Sequence, residues 1–177
     1  MSTVATPGAT SRRLKPELEE LFREHSQMLY RTAHSMLGNA ADAEDVLQSV
    51  FLTLLRREPE MERNEKGYLY RAAINLSLNA IRTRNRLEFT DDDARLDALA
   101  GDRGGGSIED LRKRFAEAMA QLRPDDAEVL VLRYIQEHDL KEIARLLGIS
   151  QGTVAMRLFR SRRRLKKLMH GRTGDKK

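Results

Sequence analysis

The sequence has no cysteine and no tryptophan, and aromatic residues make up only 5% of its 177 residues. Without cysteine the chain can form no disulfide bond, no cysteine zinc site and no thiol nucleophile. Apolar runs stay well short of the ~20 residues of a membrane-spanning helix, and the N-terminal MSTVATPGATSRR lacks the apolar centre of a signal peptide. These absences favour a cytoplasmic protein without membrane insertion.

β-Branched and aromatic residues are sparse, and no segment alternates with the period of two that a half-buried strand shows. The predicted fold class is therefore all-α. The formal net charge of +5 favours a polyanionic partner. The four histidines form no metal-spaced pair, and no glycine-rich phosphate loop follows a strand. We accordingly predict no catalytic residue, no metal site and no cofactor.

Three helices are predicted in the N-terminal half. The first covers residues 16–37 and is stopped by Gly38, and the second covers 40–57 with Asn39 as its candidate cap. The third covers 68–86 after a polar loop at 57–67. The apolar spacing predicts their packed faces. These faces comprise Leu18, Leu21, Phe22, His25, Met28 or Leu29, and Met36; then Val46, Leu47, Val50, Phe51, Leu54 and Leu55; then Leu69, Ala72, Ala73, Leu76 and Ala80.

Two asparagines in the third helix, Asn75 and Asn79, lie four residues apart and share one face. Asparagine is unfavourable inside a helix because its side chain competes for backbone hydrogen bonds. Two on one face suggest a role, although solvated or inter-helix asparagines explain them equally well.

The composition changes at Glu88. Residues 88–110 carry eight acids and two arginines, a net charge of −6, and include Gly101 and three glycines at 104–106. We interpret 89–106 as a flexible interdomain linker. The triplet Asp91 to Asp93 could in principle bind a metal, but an acidic linker explains it better.

Two helices are predicted after the linker. Ser107 and Asp110 form a capping box for the first, and Pro124 begins the second. Their predicted packed residues are Ile108, Leu111, Phe115, Met119 and Leu122, followed by Ala127, Leu130, Val131 and Tyr134.

A helix-turn-helix is predicted next. Asp139 is an N-cap whose capping box is completed by Glu142, Gly148 suits a left-handed turn, and Ser150 caps a second helix from Gln151. Seven basic residues and no acid lie between 157 and 167, on a helix whose inner face is apolar. Helix, glycine turn and basic helix together favour DNA binding over a merely solvated basic face. The predicted inner residues are Ile143, Ala144, Leu147, Val154, Leu158, Leu165 and Leu168.

Four segments resemble the extracytoplasmic-function (ECF) sigma factors of bacterial RNA polymerase. They are DAEDVLQSVFL, YLYRAAINLSLNAIR, LRPDDAEVLVLRY and EIARLLGISQGTVAMRLFRSRRRL. The resemblance covers nearly the whole chain and implies two small helical domains. It implies a polymerase-binding and promoter-melting domain at 14–88, an upstream-element domain at 107–170, an N-terminal arm at 1–13 and a tail at 171–177.

The resemblance also implies roles for individual residues and partners. Core RNA polymerase would contact Asp42, Asp45, Gln48 and Ser49. The single-stranded −10 element would contact Tyr68, Arg71, Asn75, Asn79 and Arg82, with a flipped base held by the loop at 58–66. The duplex −35 element would contact Gln151, Thr153, Met156, Arg157, Phe159, Arg160, Arg162 and Arg163. An anti-sigma factor is a further implied partner.

Three positions depart from the family pattern. Ser49 stands where the family often has glutamate, and Tyr68 where it usually has tryptophan. Ala155 and Met156 stand where the family often has a basic residue followed by serine. The alternative to a sigma factor is a free-standing helix-turn-helix transcription regulator with a helical sensor domain. That alternative needs an effector pocket or a dimer interface and leaves the asparagine face unexplained.

Overall fold

The computed structural model describes residues 16–57, 64–90 and 107–170, and no residue in these ranges lies in a β-strand. The predicted all-α class is confirmed. The N-terminal arm, most of the loop at 58–66, most of the linker including Asp91 to Asp93, and the C-terminal tail lie outside the described residues. The helices are α1 Pro16–Leu37, α2 Ala40–Arg57, α3 Glu65–Thr90, α4 Ile108–Ala120, α5 Pro124–Leu130, α6 Leu140–Leu147 and α7 Gln151–His170.

The turn between α1 and α2 forms as predicted. Gly38 has φ +79° and donates its N–H to the carbonyl of His34, which ends α1. Asn39 then caps α2, because its Oδ1 accepts from the N–H of Asp42 and its Nδ2 donates to the Asp42 carboxylate, both at 2.8 Å.

Helix α3 is longer than the predicted 68–86. It begins at Glu65, so the last residues of the predicted loop are helical, and it extends to Thr90, beyond the predicted start of the linker. The early start has a local cause. Asn64 accepts from the N–H of Gly67 at 3.1 Å through its side chain, which makes it the cap of this helix.

Helix α3 is buried on two faces, of which the sequence pattern predicted one. Leu69, Ala73 and Ile81 pack in a core with α1 and α2, and Ala72, Leu76 and Ala80 lie at its edge. The second face packs against the C-terminal half through Tyr70, Ile74 and Leu78, which are at most 2% exposed. Because two sides are apolar, the polar face of this helix is narrower than that of a surface helix with one packed side.

Several predicted core positions are wrong. In α4, Ile108 is 74% exposed and Leu111 54% exposed, and Phe115 is at the edge of exposure. The buried residues of α4 are instead at its C-terminal end, namely Ala116, Ala118, Met119 and Ala120. Phe22 of α1 is also exposed and packs edge-on against Phe51 with ring centroids 4.5 Å apart.

Tyr134 was predicted inside and is 54% exposed. The chain after α5 continues as a π-helical turn, Val131–Ile135, in which Gln136 donates its N–H to the carbonyl of Val131. The wider turn breaks the 3.6-residue period on which the prediction rested, so Tyr134 rotates away from the core.

The helix-turn-helix is confirmed, with one correction. Asp139 accepts from the N–H of Glu142 at 2.7 Å as predicted. The Glu142 carboxylate does not complete a capping box, because it lies 2.9 Å from Nδ1 of His138 instead. Gly148 adopts φ +66° and ψ +34°, and Ser150 caps α7 by accepting from the N–H of Thr153 at 3.1 Å.

Gly148→Ala should lower the free energy of unfolding by about 1 kcal/mol, because a Cβ in the left-handed region costs more than the reduced freedom of the unfolded chain returns. No atom lies within 4 Å of the added Cβ, so the loss reports the backbone alone. Urea unfolding followed by circular dichroism measures it. Gly152→Ala, in the first turn of α7, is the matched control and should not destabilise the protein. Equal losses in both variants would contradict the prediction.

Candidate nucleic-acid and polymerase interfaces

Helix α2 presents a polar face to solvent. Asp45 and Gln48 are exposed, and Ser49 is half-buried and accepts from the Thr53 hydroxyl through its carbonyl. Asp42 is tied to Asn39 and lies 3.7 Å from the Arg84 guanidinium of α3. The predicted polymerase-contacting residues therefore share one side of α2, where Asp45 is an exposed acid and Asp42 also has a structural role.

Helix α7 presents an exposed face of mixed apolar and basic character. Met156 is 59% and Phe159 55% exposed, and the Arg163 guanidinium lies 5.8 Å from the centre of the Phe159 ring. The face also includes Gln151, Thr153, Arg160 and Arg162, all exposed. Such a face can contact thymine methyl groups, guanine acceptors and phosphates in a major groove.

Two acids of α5 form ion pairs with two arginines of α7, Arg157 and Arg160. Arg157 lies 3.1 Å from Asp125, and its side chain is only 21% exposed, so this ion pair joins α7 to α5. Arg160 lies 3.8 Å from Asp126, with 57% of the arginine side chain and 11% of the aspartate side chain exposed. Neither ion pair was predicted from the sequence. Asp125 and Asp126 lie in the first turn of α5, where the helix dipole alone accounts for acidic residues.

The third predicted set, on α3, lies against the C-terminal half of the chain. Asn75 donates to Glu128 at 3.3 Å, and Arg82 donates to the carbonyls of Ala120 and Leu122 at 2.9 and 3.2 Å. Asn79 is exposed and accepts from Arg82 at 3.3 Å, and Tyr68 is half-buried. These four residues lie along one side of α3, which includes the face that Asn75 and Asn79 were predicted to share.

Arg71 belongs to the same cluster. Its guanidinium donates to the carbonyl of Leu147 and lies 3.7 Å from the Glu128 carboxylate. Burial raises the pKa of Glu128, and the neighbouring Arg71 and Asn75 offset part of that rise. The carboxylate is thus withdrawn from water, accepts a hydrogen bond from Asn75 and forms an ion pair with Arg71.

Three residues in this region were not predicted as functional, and a fourth, Asn64, was predicted only as part of the base-holding loop at 58–66. Asn64 donates to the carbonyls of Arg145 and Leu146 at 3.0 and 2.7 Å. Tyr70 meets His138 at 3.1 Å, and burial with the nearby Glu142 raises the pKa of Tyr70 to about 12. Gly67 and Glu128 complete the set. Each of these residues contacts a residue 50 or more positions away in the chain, so neighbouring residues do not reveal the contact. The one local sign was Gly67, because glycine is unfavourable in a helical turn.

Comparison with known proteins identifies the family. Residues 21–87 match the family model for Sigma-70 region 2, and residues 112–165 match that for Sigma-70, region 4. The ECF RNA polymerase sigma factor SigL of Mycobacterium tuberculosis is 32% identical over 158 residues, which cover 84% of this chain and 86% of that protein. The chain belongs to the ECF RNA polymerase sigma factors. Members of this family direct RNA polymerase to promoters and are not enzymes.

Other proteins are similar to this sigma factor over most of its length. The RNA polymerase sigma factor CarQ of Myxococcus xanthus is 30% identical over 156 residues, covering 85% of this chain and 88% of that protein. The ECF RNA polymerase sigma factor SigE of Mycolicibacterium smegmatis is 31% identical over 163 residues, which span 61% of the length of that relative.

Two solved structures share the fold of this sigma factor. The sigma factor RpoE in complex with the anti-sigma factor NepR, from Bartonella quintana, aligns with a TM-score of 0.52 and 23% identity over 88% of this chain and 98% of that one. CnrH in complex with the cytosolic domain of CnrY aligns with a TM-score of 0.50 and 23% identity, covering 87% and 88% of the two chains.

The described part of this sigma factor has no helix long and apolar enough to cross a membrane. Across the same residues, no three histidine, aspartate or glutamate side chains are grouped as a metal ion would need.

Proposed function

We propose that this sigma factor uses three separate surfaces to initiate transcription. The exposed face of α2, with Asp42, Asp45, Gln48 and Ser49, binds core RNA polymerase. The exposed face of α7 contacts the −35 element, and the polar face of α3 holds the single-stranded −10 element during melting. The corresponding domains are 14–88 and 107–170, joined by the linker at 89–106.

The observation that carries this proposal is the basic and aromatic face of α7 in a chain that also exposes the polar face of α2. Phe159 and Arg160 follow the buried Leu158, so they flank the side of the helix that can enter a major groove. A free-standing regulator accounts for α7 but gives no role to Asp45 and Gln48. The sigma factor assignment accounts for both surfaces.

The assignment of α3 rests on its chemistry. Asparagine amides can pair with the exposed edges of unstacked bases, and arginines can hold phosphates of a single strand. Asn75, Asn79, Arg71 and Arg82 supply both kinds of donor on one helix, and Tyr68 supplies a ring for stacking.

The expected partners are core RNA polymerase, promoter DNA and an anti-sigma factor. The sigma factor RpoE of Bartonella quintana was captured with the anti-sigma factor NepR, as its name states, which supports the last of these. We expect the protein to act in the cytoplasm, where the polymerase acts, and to carry no catalytic activity of its own.

Core polymerase should convert weak, charge-driven DNA binding by this protein into promoter-specific binding. Asp45→Lys should weaken this conversion, because it lowers the affinity of the protein for the polymerase. The exposed position makes loss of stability small. Fluorescence anisotropy of a labelled promoter, with and without core polymerase, measures promoter binding. Titration with core polymerase measures the affinity of each variant for the polymerase. Glu44→Lys, on a neighbouring exposed position, is the matched charge control.

Tight, sequence-specific binding by the protein alone would favour the free-standing regulator. Equal polymerase affinities for Asp45→Lys and the parent protein would remove the role of α2 while leaving the DNA surfaces standing.

Asn75→Ala should assemble with polymerase and bind the −35 element normally but should form fewer open complexes, because it removes an amide that holds the melted strand. Permanganate reactivity of unpaired thymines reports opening. Glu128→Gln is the control, since it alters the partner of Asn75 in the free protein and leaves Asn75 in place. Opening that is unchanged or increased in Asn75→Ala would restrict this residue to contacts within the protein.

Arg160→Ala should cost roughly 1–3 kcal/mol on the preferred −35 element and relax preference at one base pair. Arg163→Ala should instead weaken binding to all sequences alike and reduce the salt slope by about one ion, as expected for a phosphate contact. Holoenzyme binding to single-base variants of the element at several salt concentrations separates the two. A uniform loss for Arg160→Ala would show that this arginine does not contact a base.

A further inference from the structure

Two ion pairs join α5 to α7, and they face solvent in opposite ways. In the first pair, Nη2 of Arg157 lies 3.1 Å from Oδ2 of Asp125, and the acid is the more exposed partner, at 51% against 21%. In the second pair, Nη2 of Arg160 lies 3.8 Å from Oδ1 of Asp126, and the arginine is 57% exposed against 11% for the acid. The second pair therefore presents an arginine to solvent and keeps the acid beneath it.

The buried acid limits where the Arg160 guanidinium can lie. If the arginine moves away, the Asp126 carboxylate stays buried without its ion-pair partner, and that arrangement is costly. A pair with both partners exposed to water has no such cost. We therefore expect Arg160 to stay over Asp126 when α7 meets DNA.

The neighbours of Arg160 show which surface it belongs to. Met156, one helical turn earlier, and Phe159 are both exposed, whereas Leu158 and Ser161 are buried. A guanidinium has five N–H donors in a planar fork. An ion pair with one carboxylate oxygen leaves enough of these donors for a bidentate contact with O6 and N7 of guanine.

We propose, on the basis of the proposed role of the α7 face, that Asp126 is a positioning residue for base reading. Its buried carboxylate holds the Arg160 guanidinium so that the remaining donors meet one base pair of the −35 element. Asp126 needs no contact with DNA for this role. Without the carboxylate, the same arginine can move to a nearby phosphate, and a phosphate contact carries no sequence information.

The charge of Asp126 distinguishes this role from a purely structural one. The carboxylate offsets one positive charge beneath a surface that meets a polyanion, so its removal should strengthen binding to mismatched elements while it weakens base preference. Loss of an acid that only joins α5 to α7 would instead weaken binding to every sequence alike.

Asp126→Asn removes the charge with little change in shape. Binding of the holoenzyme to −35 elements with single-base substitutions is measured at several salt concentrations, with core polymerase in excess. At the base pair whose preference Arg160→Ala relaxes, the ratio of affinities for the preferred and the substituted base should fall at least about fivefold, the lower end of what one bidentate contact provides. The salt slope should steepen by about one ion, because Arg160 gains a phosphate contact.

An unchanged ratio in Asp126→Asn would overturn the inference, and so would a uniform loss of affinity with an unchanged salt slope. Asp125→Asn is the matched control, since it removes the same charge from the adjacent residue and breaks the other ion pair between α5 and α7. Its affinity ratio should equal that of the parent. An equal fall in both variants would show that acids of α5 act through packing or net charge and not by positioning Arg160.

A double variant tests whether Asp126 acts through Arg160. Added to Arg160→Ala, Asp126→Asn should change the affinity ratio no further, because the arginine that it positions is absent. A further fall would assign Asp126 another route and overturn the inference. Asp126→Ser is a second variant in case Asp126→Asn disturbs folding, because serine is also suited to the first turn of a helix and its hydroxyl is too short to hold Arg160. It should lower the ratio in the same way, and a ratio equal to that of the parent would contradict the positioning role.

Arg160→Ala separates failure of this inference from failure of the proposed function. If this variant relaxes no base preference, the α7 face does not read DNA through Arg160, and both are wrong. If it relaxes one base pair while Asp126→Asn keeps the preference of the parent, base reading by α7 stands and the positioning role of Asp126 is refuted.

Discussion

The carbonyl groups that end α6 have no partners within that helix, and the structure supplies donors from the opposite half of the chain. Asn64 and Arg71 fill this need, and the close approach that they require is possible only because Gly67 has no side chain. Once the turn of the helix-turn-helix is anchored there, α5 comes to lie along α3 and places Glu128 beside Asn75. The relation of the two halves depends on this contact.

Charge serves two purposes in this protein. The chain is basic as a whole, yet the acids of α5 face the arginines of α3 and α7 at distances of 3.1 to 3.8 Å. Arginines suited to a polyanion are thereby paired within the protein when no polyanion is present. In both the Arg71–Glu128 and the Arg160–Asp126 pairs the arginine is partly exposed and the carboxylate is buried, so an arginine that turns to a polyanion leaves a buried acid without its ion-pair partner.

Features set by neighbouring residues were predictable. The caps at Asn39, Ser107 and Ser150 and the left-handed glycines 38 and 148 depend on a few consecutive residues, and all of them formed. The packed faces were less predictable. Ile108 and Leu111 follow the helical period, yet both are exposed, and the π-helical turn moved Tyr134 out of the core.

The sequence by itself determined the all-α class, the helix-turn-helix and the residues able to meet polymerase and DNA, because local backbone preferences and short motifs are written in adjacent residues. Only the tertiary structure decided that Arg71, Asn75 and Arg82 contact the C-terminal half. Those contacts join residues 38 to 76 positions apart in the chain, and their geometry follows from how α3 is buried on both faces. Periodicity marks a face as apolar or polar, but it carries no information about which distant carbonyl or carboxylate will be placed against it.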